Sequence, residues 1–288
     1  MNQITVNAYA KINLLLDIKN LRKDGYHNLE MVMQSISLHD TITLYKRDKG
    51  IKIETNHDKL PTDQKNLAYK AAQAVIDKTK SNKGIKIKIN KRIPIAAGLA
   101  GGSTDAAAVI NGMNKLYDLK LNQKEIHSIA FNIGSDVPFC LKGGTVFATK
   151  RGEKLRYLRP LKKHKVLLVK PPEMVSTKKV YNLYDEYKIN KNIPVKKLLE
   201  VINNNEKINI EDGWANVLER ITNQLVPDVN IIKEKLINQG FKFTMMTGSG
   251  PTVFSLFDKK NIALADKTIK NWSRSNDFIT LTETKNFN

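Results

Sequence analysis

Three short stretches of the 288-residue chain hold residue types at spacings that can do chemistry. The first is PIAAGLAGGST, residues 94–104, which sets Gly98, Gly101 and Gly102 at the entrance to the helix-forming run DAAAVINGMNKL. Glycine lets the backbone take conformations closed to other residues and brings its N–H groups against a ligand. A helix beginning near Thr104 leaves unpaired N–H groups and a positive dipole end there. Together these make an anion site. Ser103 and Thr104 add hydroxyls for phosphate oxygens or a phosphate-bound cation, Asp105 can serve helix capping or recognition, and Pro94 stiffens the way in. The loop is not a Walker A sequence, because no Lys-Ser or Lys-Thr pair closes it, and it lacks the GxGxxG spacing of a dinucleotide fold. Alone, it reads equally as a glycine-rich turn before a capped helix.

The second stretch, IGSDVPFCLKGG, puts Asp136 between a glycine-containing turn and a proline, where a carboxylate either caps a helix or projects into a site. The third, MTGSGPTVFSLF, places Thr247, Gly248, Ser249 and Gly250 between two apolar segments, as a plain hairpin turn or a second glycine-rich wall. Near the start, AYAKINLLLDI places Lys11 inside an otherwise apolar strand, so its ammonium needs a partner or a way to the surface, the usual place of a lone strand lysine. The triplet Gly25-Tyr26-His27 supplies a flat face for stacking and a polar edge, or else an ordinary turn.

The elements that must position these residues alternate along the chain. Extended segments at ITVNAYAKINLLLDI, MVMQSISLHDTITLYKR and IKIETN precede a helical NLAYKAAQAVIDKTK and a strand IKIKINKRI that runs straight into the glycine loop. Helices at DAAAVINGMNKLYDL and NQKEIHSIAFNI and a hairpin GGTVFATKRGEKLRYL follow. A boundary near Pro160 divides the chain into 1–160 and 161–288. The second part reads as a strand LKKHKVLLVKPP, helices around VKKLLEVINN, ANVLERITNQ and VNIIKEKLINQG, strands flanking TGSG, a helix IALADKTIKNW and a last strand FITLTET. Two α+β domains are expected.

Composition bounds the possibilities. At 41% hydrophobic residues the chain can bury a core, and it carries no apolar run of membrane-spanning length and no signal-peptide pattern, so a soluble cytoplasmic protein is expected. The single Cys140 can form no internal disulfide, and the five His residues do not cluster with it as zinc ligands. The net charge of +20 is spread without a basic helix or aromatic platforms. Neither nucleic acid nor a membrane is the expected partner; an anionic small molecule fits.

In this order the segments resemble the GHMP kinase superfamily, over nearly the whole chain: a lysine strand, a PxxxGLxGGST loop and a carboxy-terminal TGSGPT turn. The resemblance implies a two-domain GHMP kinase fold. Its parts are an N-terminal α+β ATP-binding domain (1–160) with a left-handed β-α-β crossover and a C-terminal ferredoxin-like α+β domain (161–288). It implies ATP and Mg2+ as cofactors. It gives Pro94, Ile95, Ala96, Ala97, Gly98, Leu99, Ala100, Gly101, Gly102, Ser103 and Thr104, with Asn66, to the nucleotide, although an N-cap explains Asn66 equally well. Asp136 is implied as general base on an acceptor hydroxyl, with Lys11 beside it to keep the carboxylate ionised and to stabilise the forming alkoxide.

Within the superfamily, the added DGYHNLEMVMQSISLHD and GSDVPFCLKGG resemble the branch that phosphorylates the 2-hydroxyl of 4-diphosphocytidyl-2-C-methyl-D-erythritol in the non-mevalonate isoprenoid route. That gives Asn13, Tyr26, His27, Tyr181, Thr247, Gly248, Ser249 and Gly250 to the substrate, with Tyr181 as the opposite stacking face for cytosine. Homoserine and mevalonate kinases, and a mevalonate-diphosphate decarboxylase type of lyase, are the alternatives on the same fold, and a non-catalytic nucleotide- or nucleic-acid-binding protein is a third.

Overall fold

Two long strands open the chain and set the frame for everything after them. In the computed structural model, which describes residues 1–80, 82–187 and 193–287, β1 covers Gln3–Leu21 and β2 covers His27–Arg47. Both are rich in β-branched and apolar residues, and β1 is buried on both faces from Lys11 to Ile18. Each passes through both compact units of the molecule. One unit comprises Met1–Ala10, Leu38–Ile95 and Ala100–Gly143; the other comprises Lys11–Ser37, Ala96–Leu99 and Gly144–Asn288. Compactness therefore does not part the chain at one point such as Pro160, because a strand of some twenty residues is long enough to serve two cores.

In the first unit, the far end of β2 pairs antiparallel with β4 (Gly84–Asn90), and β4 pairs parallel with β3 (Ile51–Thr55). The parallel pair is joined by the helix α1 (Leu67–Thr79), as a parallel connection requires. Helices α2 (Gly101–Leu116) and α3 (Gln123–Ile133) and the single turn α4 (Val137–Cys140) complete the unit. On α1, Ala68, Ala71, Ala72 and Val75 follow helical spacing and are buried, and Ala106, Ala107, Val109 and Ile110 do the same on α2. Small side chains let these helices close on the isoleucines of β4 in one continuous core. At Gly112 a Cβ would stand 2.5 Å from Leu44 Cδ1, so glycine permits the seating of α2 on β2.

In the second unit, the near end of β2 pairs with β5 (Thr145–Lys150), and β5 forms a hairpin with β6 (Lys154–Tyr157). A separate sheet holds β7 (Lys165–Lys170), β8 (Phe243–Met246), β9 (Val253–Phe257) and β10 (Phe278–Glu283) in the order β10-β7-β9-β8, all neighbours antiparallel. Between β7 and β8 lie α5 (Thr177–Tyr187), α6 (Val195–Asn203), α7 (Glu219–Leu225) and α8 (Asp228–Asn238); α9 (Ile262–Lys270) links β9 to β10. Helices between the first and second strands and between the third and fourth, with spatial order 4-1-3-2, make this the expected ferredoxin-like arrangement.

Candidate active site

The glycine loop leaves β4 and returns as α2. The helix begins at Gly101, three residues before the expected Thr104, with Ala100 as a left-handed N-cap at φ 59°. This corrects the role of the glycines. Only Gly98 needs its conformational freedom, at φ 72°, while the other left-handed positions of the loop are alanines, Ala96 (φ 51°) and Ala100. Alanine there costs on the order of 1 kcal/mol or more, strain of the kind that collects at ligand-binding turns. Gly101 and Gly102 are helical. Gly101 answers a close approach instead, since a Cβ would lie 2.9 Å from Lys91 Nζ and 3.1 Å from Ile93 Cγ2.

With Thr104 N–H already bonded to Ala100 C=O at 2.9 Å, the N–H groups of Gly101, Gly102 and Ser103 are those the helix cannot pair internally. Ser103 keeps a half-buried hydroxyl at that end. Thr104 does not, because its Oγ1 donates to the Tyr9 carbonyl at 2.8 Å and the residue is buried. The hydroxyl expected to meet phosphate ties α2 to β1. Asp105, proposed for capping or recognition, does neither: it is buried in the second turn. Asn66 caps α1, its Oδ1 accepting from Ala68 N–H at 2.9 Å while its Nδ2 donates to the Pro61 carbonyl at 2.7 Å. Both polar ends are committed within the fold.

Beneath the loop lies a cluster that residue types alone did not reveal. Lys91 donates to Asp40 Oδ2 and, at 2.9 Å, to Asp105 Oδ2; all three are buried. Asp105 Oδ1 has no hydrogen-bond partner. Burial pushes the Asp105 carboxyl up to about 8, against the pull of Lys91. Burial also pulls Lys91 down, but Asp105 and Asp40 outweigh it and leave the ammonium above its ordinary value. One ammonium between two carboxyl groups balances in charge when one carboxyl keeps its proton, and Asp105 is the one so shifted.

A carboxyl whose folded pKa is raised gives stability that is complete below its unfolded value near 4 and is lost as pH rises through the folded value of about 8. Asp105→Asn removes that titration. Its stability relative to wild type is expected to rise steadily from pH 5 to about pH 8, on the order of 1 kcal/mol per pH unit, read as a growing difference in melting temperature. A difference that stays constant across melts at those pH values would show that Asp105 does not titrate in this range.

In the second unit, Lys11 is only 4% exposed. Its ammonium donates to Asn13 Oδ1 at 2.7 Å and to the Gly98 carbonyl at 3.1 Å, so the motif lysine binds the glycine loop itself. Asn13 N–H in turn donates to Thr247 Oγ1 at 2.9 Å. The TGSG turn closes the same cluster. A Cβ on Gly98 would stand 2.4 Å from the Thr247 carbonyl oxygen, and one on Gly248 would stand 2.8 Å from the Gly98 carbonyl oxygen. Lys11, Asn13, Gly98, Thr247 and Gly248 are thus brought together, and the hairpin turn packs on the glycine loop.

Asn216 holds that turn in place, donating through Nδ2 to the carbonyls of Met246 (3.0 Å) and Gly248 (2.8 Å), while Thr222 Oγ1 donates to the Ser249 carbonyl at 3.1 Å. Ser249 Oγ lies 2.8 Å from Thr177 Oγ1. Sequence reading passed over Asn216, although an asparagine in the otherwise apolar WANVL is a usable signal. The sequence places a helix around ANVLERITNQ. Its helix starts only at Glu219, because Asn216 Oδ1 accepts the Leu218 N–H and the side chain faces the turn.

The GYH triplet ends the turn before β2. Tyr26 is half exposed, with the Arg151 guanidinium 3.5 Å above its ring centroid. His27 is buried, its Nε2 lies 2.7 Å from Asp185 Oδ1, and its ring lies 5.3 Å from that of Tyr181 at an interplanar angle of 30°. Tyr181 thus packs on the histidine. Asp185 and Arg151 are further residues of this cluster that sequence reading missed.

Asp136, in the first unit, is partly buried and stands before α4 without a side-chain capping bond. The capping alternative for this residue is therefore removed.

Residues 66–144 match the family model described as GHMP kinases N terminal domain, and residues 196–271 match GHMP kinases C terminal. A 4-diphosphocytidyl-2-C-methyl-D-erythritol kinase of Clostridium acetobutylicum is 45% identical over 88% of this chain and 91% of its own length. The chain belongs to the GHMP kinase family. Its reaction as a GHMP kinase is phosphate transfer from ATP to a small molecule. A kinase of the same name from Acetivibrio thermocellus is 43% identical over 94% of this chain and 96% of its own. A crystal structure of 4-(cytidine 5'-diphospho)-2C-methyl-D-erythritol kinase, 28% identical, superposes with a TM-score of 0.80 over 98% of this chain and 100% of that one. Homoserine kinase from Cytophaga hutchinsonii, 19% identical, reaches 0.73 over 99% of this chain and 95% of its own, and speaks for the GHMP kinase fold alone. Among the described residues no group of three or more His, Cys, Asp or Glu is placed to hold a metal ion, and no helix is long and apolar enough to cross a membrane.

Proposed function

We propose that this GHMP kinase transfers the γ-phosphate of ATP to the 2-hydroxyl of 4-diphosphocytidyl-2-C-methyl-D-erythritol, a step toward isoprenoid precursors. The observation that carries the reading is the 45% identity, over 88% of the chain, to a kinase named for that acceptor. The fold alone does not choose among acceptors; the aromatic and histidine cluster at Tyr26, His27 and Tyr181 suits a flat pyrimidine with a polar edge.

In the reaction the acceptor hydroxyl gives its proton to Asp136 as its oxygen bonds phosphorus, and the bond from phosphorus to the ADP oxygen breaks. Phosphoryl transfer passes through a loose transition state, so positioning and charge stabilisation carry more of the rate than the base does. Residues 94–103 would cradle the triphosphate on the free N–H groups of α2, and Lys11 would oppose charge at the acceptor. Asn13, Thr247, Gly248, Ser249 and Gly250 form the wall assigned to the substrate.

Magnesium fits this donor set as an ion that arrives on ATP. Ser103 offers one uncommitted hydroxyl at the helix end, and a hard cation of this kind takes most of its ligands from phosphate oxygens and water. When bound it neutralises charge on the transferring phosphate. We assign 1–160 as the ATP-binding domain and 161–288 as the C-terminal domain by ancestry, alongside the division by compactness. A supply of ATP and of a soluble nucleotide-like acceptor points to the cytoplasm.

A coupled ADP-release assay offering the diphosphocytidyl compound, homoserine and mevalonate side by side tests the reading. Saturable ADP release with the diphosphocytidyl compound is expected, exceeding the other two by at least about 100-fold in kcat/KM. Turnover with homoserine or mevalonate alone would overturn it, and carbon dioxide release would transfer the chain to the decarboxylases.

A further inference from the structure

We propose that Lys91 is a positioning residue for the phosphates of ATP: its ammonium, held by Asp40 and Asp105, fixes the two ends of the glycine loop and with them the N–H groups at the open end of α2. The inference deepens the reading of residues 94–103 as the phosphate loop and rests on it.

Four hydrogen bonds and one close approach carry the argument, all inside the first compact unit. Lys91 follows β4 directly, and its side chain is 2% exposed. Asp40 on β2 holds the ammonium with one oxygen, and with the other accepts the N–H groups of Arg92 at 2.5 Å and Ile93 at 2.8 Å, the two peptides before Pro94. One carboxylate thus sets the direction in which the chain departs. The same ammonium reaches Asp105 on α2 at 2.9 Å and presses on Gly101, the first residue of that helix, so closely that a Cβ there would meet it at 2.9 Å. The return of the chain is set by the same group.

Buried ion pairs are a poor way to gain stability, since apolar groups of equal volume often serve as well or better; where they fix one geometry among several they have a use. Here the geometry fixed is the line of N–H groups on Gly101, Gly102 and Ser103. A nucleoside triphosphate brings several negative charges to that line. The ammonium is balanced by its carboxyl partners, which keep it from turning elsewhere, so what the triad supplies to that line is a fixed direction.

Lys91→Met is the direct test, and Lys91→Met/Asp40→Asn, which removes one charge of each sign, is the second. Circular dichroism establishes folding, and ADP release is then measured with ATP and acceptor varied in turn. The expected result is a KM for ATP raised at least about tenfold with the acceptor KM within about twofold of wild type, because only the phosphate end is disturbed. A folded variant whose KM for ATP stays within about twofold of wild type would overturn the role of Lys91 while leaving the phosphate loop intact. A wild-type chain without saturable dependence on ATP would instead overturn the loop reading. Loss of folding in both variants would assign the triad to stability alone and would also overturn the proposal.

Discussion

Replacing Asp136 by Asn is expected to lower kcat by about 100- to 10,000-fold, the range for loss of a positioned base, while KM for ATP stays within about twofold. The substitution keeps the shape of the side chain and removes its ability to take a proton. It costs no helix cap, because the Asp136 side chain makes no capping bond to α4. It also leaves the phosphate loop unaltered, because the N–H groups that serve the loop belong to Gly101, Gly102 and Ser103. The informative result is the split: kcat and kcat/KM for the acceptor falling together, with ATP binding preserved, marks a contribution made only in the transition state. Turnover within about threefold of wild type would remove Asp136 from proton transfer and leave positioning as the source of the rate.

Gly98→Ala is the second large effect, and it acts on structure first. At φ 72° an alanine is strained by about 1 to 2 kcal/mol, and its methyl would sit 2.4 Å from the Thr247 carbonyl oxygen, with Gly250 backbone atoms at 3.1 Å. All of these are backbone atoms, which cannot turn aside as a flexible side chain would. Overpacking of this kind adds about 1 to 3 kcal/mol. The total of about 2 to 5 kcal/mol corresponds to a melting temperature lower by roughly 3 to 8 °C for a chain of this size. Because Lys11 donates to the Gly98 carbonyl, the same change should raise KM for ATP. A melting temperature within about 2 °C of wild type would mean that the turn yields without cost.

Much of the fold was legible because periodicity is a local property. The alternation in ITVNAYAKINLLLDI, the helical spacing of alanines in NLAYKAAQAVIDKTK and the strands flanking TGSG each announced an element within a few residues of its position. The site was legible where residues stood in a motif, as with Lys11, the glycine loop and the TGSG turn. It was illegible where distant residues meet. Asp40, Lys91 and Asp105 each resemble a surface charge or a cap when read alone, and only the fold brings them to one ammonium. A hint was present in the DAAAVI run, where an acid precedes five residues that are all buried. Thr104 failed for a related reason: its type suits phosphate, but the Tyr9 carbonyl on β1 claims it first. Helix starts are similarly hard to read, since glycine in a first turn looks like loop until the group that crowds it is seen.

The mutual approach of Gly98 and Gly248 also bears on how the chain is made. A loop that emerges from the ribosome early lacks the surface it rests on until residues 247–250 have followed, some 150 positions later. The closure is of high sequence separation and must be reached against considerable chain entropy. The nascent amino-terminal portion can assemble its alanine-lined helices on β4 while the stretch around Gly98 waits. The seating of Gly98 is then reached near the end of synthesis, and a chain that stops short of the TGSG turn would leave that stretch without the backbone it rests on.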